Sequence, residues 1–546
     1  MTQTDDDKTG AELRRSYTRR EVMKRASQGA ALLGGANLLT AWGGSSSGAT
    51  ATAAASSSAG TPVKGGTFNV GMLTGGAAET LVAGLLTAWP DIARGRCLYN
   101  WLFDLSADLK TLKPTLAVSA EPNKDATAWI LNLRNGVVWH DGKPFTADDV
   151  VYTFHYWSNP LTYSNAFLAG LVDFKRVRKM SRLQVEVPML VPVAQFPSLL
   201  TNYLFGVIQN GTSANALVKH PIGTGPFKFV SFTPGQQSTF VANPHYWEPG
   251  LPHVAKVVID SSFTDENARL NALLGGEINV SAIIPPSVAR SQQSGRQVNI
   301  IRSPSPQGYY FSMRVDKGPF ADVRVRTAMK LLADRRALIA GALDGYGTVA
   351  NDLLGADTLY YDASLVRPHD VEQAKALFKA ARVAGTTFVL QTSAAGAGFV
   401  EAATLLAEQA TAAGVKIALQ TIPSANYFNT TTGYLNRSFA QDSITTAPSL
   451  LQAYREFFYT GAPYNETHWG NAGANKLLLQ AIGEQNSSKA LELWTEVQQL
   501  QFNQGGDLVW TNADYLDAAS LSVRGLKGSP ALNLNNFRLQ DGWIKP

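Results

Sequence analysis

Thr387-Phe388-Val389-Leu390-Gln391, a segment running from Phe399 to Gly414, and then Val415-Lys416-Ile417-Ala418-Leu419 form the stretch on which the fold turns. The first and last runs read as strands, and 399–413 reads as a helix stopped by Gly414. Such a strand–helix–strand unit places its strands parallel, with a right-handed crossover. A second unit is predicted upstream, with a strand over 254–260, a helix over 265–274, a stop at Gly275-Gly276 and a strand over 278–284. Two units more than a hundred residues apart predict an α/β chain with two lobes.

Shorter signals fill in around them. Gly65-Gly66 followed by Thr67-Phe68-Asn69-Val70 predicts a turn and a strand. Trp129, Leu131 and Leu133 alternate ahead of Asn135-Gly136, which marks a hairpin candidate. Residues 227–230 and 238–241 flank Thr233-Pro234-Gly235-Gln236, a second hairpin. Asp322 and Asp334 are placed to cap helices that carry Val325, Met329 and Leu332, then Leu338 and Ile339. Asp370 with Gln373 reads as a capping box.

The chain has 546 residues, 45% hydrophobic and 16% charged, with one cysteine. It is too long for one ordinary domain and too apolar to be disordered. Cys97 alone excludes a disulfide framework and any multi-cysteine metal site. The net charge is +5, and the first 61 residues hold seven Lys/Arg and five Asp/Glu, leaving 40 against 37 in the rest. That nearly neutral body argues against a nucleic-acid partner.

Residues 1–44 read as an export signal and 45–61 as a Ser/Ala/Gly tether. Arg19 and Arg20 precede a Gly-diluted apolar stretch over 30–42, too short to span a bilayer. The pair resembles a twin-arginine signal. Leu39-Thr40-Ala41-Trp42-Gly43 resembles a lipobox in which Trp42 stands where the lipidated cysteine would be, so no lipid anchor is expected. No transmembrane helix is predicted; an exported, periplasmic or extracytoplasmic protein is.

Catalytic signals fail on context. Gly44-Ser45-Ser46-Ser47-Gly48 lies in the tether, without the strand and helix of a nucleophile elbow. Gly136 to Lys143 has the wrong glycine spacing for a phosphate loop, and Gly223-Thr224-Gly225 lacks the third glycine of a dinucleotide fingerprint. The seven histidines show no metal-ligand spacing, and Asp148-Asp149 suits the first turn of a helix better than an acid/base pair. No catalytic residue, metal or cofactor is expected.

Four segments together resemble the family 5 extracellular solute-binding proteins, the peptide and nickel class of ABC importer receptors. They are 116–121 with Trp129 to Val151; Pro221-Ile222-Gly223-Thr224-Gly225-Pro226-Phe227 with Asn243-Pro244-His245-Tyr246-Trp247; Leu273 to Val280, where Asn279 replaces the usual Asp; and Phe320 to Met329. The resemblance implies a two-lobed periplasmic-binding-protein (Venus-flytrap) fold with an extra subdomain in the first lobe. The first lobe would run over 62–305, with the insertion at about 100–215, and regain the chain at 511–546; the second would span 306–510. It implies a monomeric receptor that closes on a peptide or other small organic solute and delivers it to membrane permease subunits. The family's ligand contacts map to Met72, Leu73 and Thr74, to Tyr309, Tyr310 and Phe311, and to a second-lobe stretch holding Gln441, Asp442, Ser443, Thr445 and Thr446; Trp469 is a further candidate. That last stretch lacks the family's Gly-Trp pair, and Thr445 or Thr446 falls where an Asp would meet a peptide ammonium. Losing that charge-assisted bond removes about 1.5–3 kcal/mol, while Asp442 offers a substitute. An exported hydrolase and a sensory receptor without transport remain the alternatives.

Overall fold

The computed structural model describes residues 61–428, 433–445, 447 and 449–546. The signal with Arg19 and Arg20, the Trp42 position, most of the tether and Thr446 lie outside the described residues. Among the described residues an eleven-stranded mixed sheet forms the frame. Its strands, numbered here within that sheet, are β1 (Thr67–Leu73), β2 (Phe227–Phe232), β3 (Gln237–Ala242), β4 (Lys256–Phe263), β5 (Val280–Ser281), β6 (Val298–Met313), β7 (Gly347–Val349), β8 (Thr387–Thr392), β9 (Lys416–Thr421), β10 (Phe439–Ile444) and β11 (Asp507–Ser520). The order is β9-β8-β10-β6-β11-β5-β1-β4-β3-β2, with β7 also on β11.

Strand β8, the helix Phe399–Ala412 and β9 form the expected unit, paired parallel from Thr387↔Lys416 to Thr392↔Thr421. The upstream unit differs in one respect. β4 and β5 are parallel but not neighbours, because β1 inserts between them and pairs with both. A crossover signal fixes direction, not adjacency, and the second strand is trimmed to two residues. The Asn135-Gly136 hairpin is also corrected. Strand Ala128–Leu133 pairs with Ala117–Pro122, which precedes it, and with Gln184–Pro188, in a separate four-stranded sheet. The Asn135-Gly136 turn instead leads into a small loop closed by Phe145 N on Val137 O. The 233–236 hairpin forms as expected, with Gln236 N on Thr233 O and Gly235 at φ +69°. Asp322, Asp334 and Asp370 all cap their helices through side-chain oxygens.

The fold is a two-lobed mixed α/β architecture whose lobes share β6 and β11. These long strands pair antiparallel from Val298↔Ser520 to Ser312↔Asp507. Their neighbouring residues serve different cores, because successive side chains on a strand point to opposite faces. Tyr310 and Val509 join a core built around Phe68, Trp101 and Trp157, whereas Phe311 and Trp510 join one built around Met329, Phe388 and Leu406. The lobes are thereby tied by backbone pairing at their junction.

Candidate functional site

The carboxyl end of β1 runs into a loop, 74–79, held from beneath by a buried ion pair. Arg94 Nη1 donates to Glu79 Oε2 at 2.6 Å, and both side chains are fully buried. Arg94 also donates to Ser238 Oγ and Ser261 Oγ, while Glu79 Oε1 accepts from Gly75 N at 2.7 Å and Oε2 from Gly235 N at 2.9 Å. A buried pair with its remaining valences filled in this way fixes the loop it touches. Beside it, Asp517 on β11 accepts from Ile283 N, Asn533 Nδ2 and Leu534 N, which sets Ala282 and Ile283 against the same space.

The opposite wall comes from β6 and β10. Their register puts Tyr309 opposite Ser443 and Tyr310 opposite Asp442. Behind Asp442 lies a buried acid cluster. Tyr434 Oη donates to Asp442 Oδ2 at 2.6 Å, Ser443 N donates to Asp442 Oδ1 at 2.6 Å, Tyr310 Oη donates to Glu466 Oε1 at 2.9 Å, and Ser312 Oγ reaches Glu466 Oε2 at 3.2 Å. Burial first, and then the Asp442 charge, hold the Glu466 carboxyl well above the usual range. Burial raises the Asp442 carboxyl as well, against the hydrogen bonds it accepts from Tyr434 and Ser443, and since two buried carboxyls in contact cannot both ionise, the pair holds one proton between them.

A third acid stands nearby, on the π-helical turn Tyr454–Phe458. Burial pushes Glu456 up to about 8. Its carboxyl has one partner among the described residues, Gln452 Nε2 at 3.4 Å. Its charge is felt by the phenols of Tyr203 and Tyr464.

These walls enclose a cavity of about 260 Å3 that Asp442 and Glu456 both line. Of the residues expected from sequence, Met72, Leu73, Thr74, Tyr309, Asp442, Ser443 and Thr445 line it. Tyr310, Phe311, Gln441 and Trp469 do not. Tyr310 supports Glu466 from behind. Phe311 packs in the second core, 6.3 Å from the Phe439 ring. Gln441 Oε1 accepts from Thr392 Oγ1, and Trp469 is buried in the first core. Sequence reading missed Trp89, Tyr203, Phe428, Tyr434, Glu456, Phe457 and Tyr464, all in the wall. The run Tyr454-Arg455-Glu456-Phe457-Phe458-Tyr459, an acid set among aromatics, is the signal that points to this segment.

The most recognisable motifs lie elsewhere. His140 Nδ1 accepts from Gly223 N at 3.2 Å, so the ring's proton sits on Nε2, which donates to Gly225 O at 3.0 Å. Burial lowers this histidine to about 4, keeping it neutral. Asn243 Nδ2 donates to the same carbonyl. A Cβ on Gly223 would stand 1.8 Å from the Leu98 carbonyl oxygen, so only glycine lets this loop lie on the end of the helix Trp89–Leu98. The motifs interlock as scaffold. Among the described residues no group of three His, Cys, Asp or Glu side chains is placed to hold a metal ion.

Residues 111–465 match the sequence profile of the bacterial extracellular solute-binding proteins, family 5 Middle. The glutathione-binding protein GsiB of Shigella flexneri is 28% identical over 302 residues, 53% of this chain and 56% of that protein. The chain thus spans about half the length of the curated relatives it matches. Among solved structures, the ABC transporter substrate-binding protein CtaP of Listeria monocytogenes superposes with a TM-score of 0.76 at 22% identity, over 88% of this chain and 100% of that one. The oligopeptide-binding protein AppA of Bacillus subtilis, in complex with a nonapeptide, gives 0.70 at 20% identity, over 89% and 100%. At these identities the likeness establishes the two-lobed fold.

Proposed function

Since this chain belongs to the bacterial extracellular solute-binding proteins, family 5, we propose that it is an exported receptor that captures a peptide or other small organic solute between its lobes and hands it to the permease subunits of an ABC importer. The observation that carries the reading is the cavity itself. Its walls come from the end of β1 on one side and from Tyr309, Ser443 and Thr445 on the other, as a clamp requires. Among the described residues the same walls hold no acid–base–nucleophile arrangement with the geometry of a hydrolytic site.

The contacts we assign to the solute are Met72, Leu73, Thr74, Tyr309, Asp442, Ser443 and Thr445, all of which line the cavity. Tyr310 acts through Glu466 as a positioning residue. The lobes divide at about 305 and 510, inside β6 and β11, and these two strands act as the hinge. The protein works as a monomer. Export follows a twin-arginine route through Arg19 and Arg20, and Trp42 in the lipobox position leaves the mature receptor without a lipid. No helix among the described residues is long and apolar enough to cross a membrane.

A thermal-shift screen of the full chain against peptides, amino acids, sugars and nickel tests the reading. A solute that binds only the folded state raises Tm, by mass action. A saturable rise is expected with at least one organic solute. No rise with any solute, together with turnover of a test substrate, would contradict it.

A further inference from the structure

The charges around the cavity do not balance. Asp442 lines it with Glu466 behind, the two carboxyls sharing one proton, and Glu456 lines it from a different element. Against these stands one cationic lining residue, Arg269, and it is already committed. Its Nη1 donates to Ala282 O at 2.6 Å, and its Nη2 donates to Ile283 O and to the Glu266 carboxylate. Arg437, whose charge reaches Asp442, stands outside the wall with its guanidinium over the Tyr427 ring at 4.2 Å and its Nη2 on Tyr427 O. Among the described residues, then, the cavity presents two carboxyls and no uncommitted cation.

Aromatic side chains share the rest of the wall with aliphatic and neutral polar ones such as Met72, Ile92, Gln307 and Thr445. The Tyr203 and Tyr464 phenols line the same wall within reach of the Glu456 charge, Phe457 packs 6.0 Å from Tyr464, and Phe428 packs 5.5 Å from Tyr434, the donor to Asp442. Trp89 closes another side. Aromatic rings around a carboxylate favour an organic cation twice over: the ring faces attract it through their quadrupoles, and the acid pairs with its charge. They disfavour a carboxylate, which would meet the negative charge of the Asp442–Glu466 pair in a poorly hydrated space and find, among the described residues, no uncommitted guanidinium or ammonium to answer it.

We propose that the cavity selects a small organic amine or ammonium compound that carries no carboxylate, with Glu456 and Asp442 as its two anionic anchors. This rests on the receptor reading above and narrows its substrate class away from zwitterionic peptides. The raised proton affinity of Glu456 fits the role, since a buried acid without a counter-ion holds its proton until a cation arrives to favour the charged form.

Titration calorimetry of the full chain at pH 8 tests it, with tyramine, phenethylamine and choline as cationic probes, tyrosol as the neutral counterpart of tyramine, and the dipeptide Ala-Tyr and glutathione as carboxylate-bearing controls. At least one cation is expected to bind, and tyramine at least tenfold more tightly than tyrosol. Glu456→Gln should reduce that preference about tenfold while keeping a cooperative melt. Phe457→Leu should weaken the cations more than tyrosol. Binding of Ala-Tyr or glutathione with none of the cations would overturn the amine class and leave the receptor standing. A cation affinity that Glu456→Gln leaves unchanged would overturn the role of Glu456. No binding by any compound here would overturn the amine class, and the receptor falls with it only if the wider thermal screen shows no rise and a test substrate is turned over.

Discussion

Two regions of this molecule treat ionisable groups in opposite ways. Around His140 both ring nitrogens close on neighbours: the neutral imidazole links Gly223 to Gly225, and Asn243 shares the Gly225 carbonyl. Around Asp442, Glu466 and Glu456 three carboxyls are gathered, with one proton held between the first two and one 3.4 Å bond to the third. The first region is finished when the chain folds. The second is left to be completed by something that enters. Burying an unpaired acid costs free energy, and a fold carries such a cost where a partner can relieve it.

The contrast can be broken most forcefully at Gly223. Gly223→Ala drives a Cβ against the Leu98 carbonyl, and a backbone clash of that kind should cost roughly 4 kcal/mol or more. Chemical denaturation reads the loss. Any fraction that folds should bind solute with unchanged affinity, and a variant as stable as the parent would show that the loop is not close-packed scaffold.

A smaller effect separates the regions by pH. His140 is lowered to about 4 by burial, so its contribution is complete above its unfolded value near 6.5 and is lost as pH falls toward 4. Glu456 is raised to about 8, so its contribution is complete below its unfolded value of 4.5 and is lost as pH rises through 8. His140→Asn should therefore flatten the acid limb of Tm against pH. Glu456→Gln should raise Tm relative to the parent more at pH 8 than at pH 5, by an amount worth about 1–2 kcal/mol once partial solvent access is allowed for. A Glu456→Gln gain that does not grow with pH would remove the buried acid from the account.

How much of this was legible in the sequence follows the same division. The β8–helix–β9 unit, the 233–236 hairpin and the caps at Asp322, Asp334 and Asp370 are local, because periodicity and capping act over a few residues. The pairing of β4 with β1 rather than β5 was not legible, since nothing local says which strand will insert between two parallel neighbours. Asn135-Gly136 misled for a related reason: it turns the chain, but the partner of Ala128–Leu133 was the strand before it. For the site, resemblance supplied Met72, Leu73, Thr74, Tyr309, Asp442, Ser443 and Thr445 as candidates, and these converge on the cavity. It could not supply Tyr203, Glu456 or Tyr464, which enter from loops and a π-helical turn whose approach depends on the whole fold. Nor could it separate Tyr309 from Tyr310, since alternation shows that neighbours face opposite ways but not which one faces the cavity.

The most direct test of the central claim is hydrogen–deuterium exchange on the full chain, with and without a saturating amount of the solute that gives the largest thermal shift. Bound solute should slow exchange at 72–75, 442–445 and 454–464, where the cavity walls lie. It should leave 137–145 and 221–227 unchanged, because the interlocked motifs are complete without a ligand. Protection confined to 137–145 and 221–227, with the cavity walls exchanging as before, would place the ligand elsewhere and contradict the account.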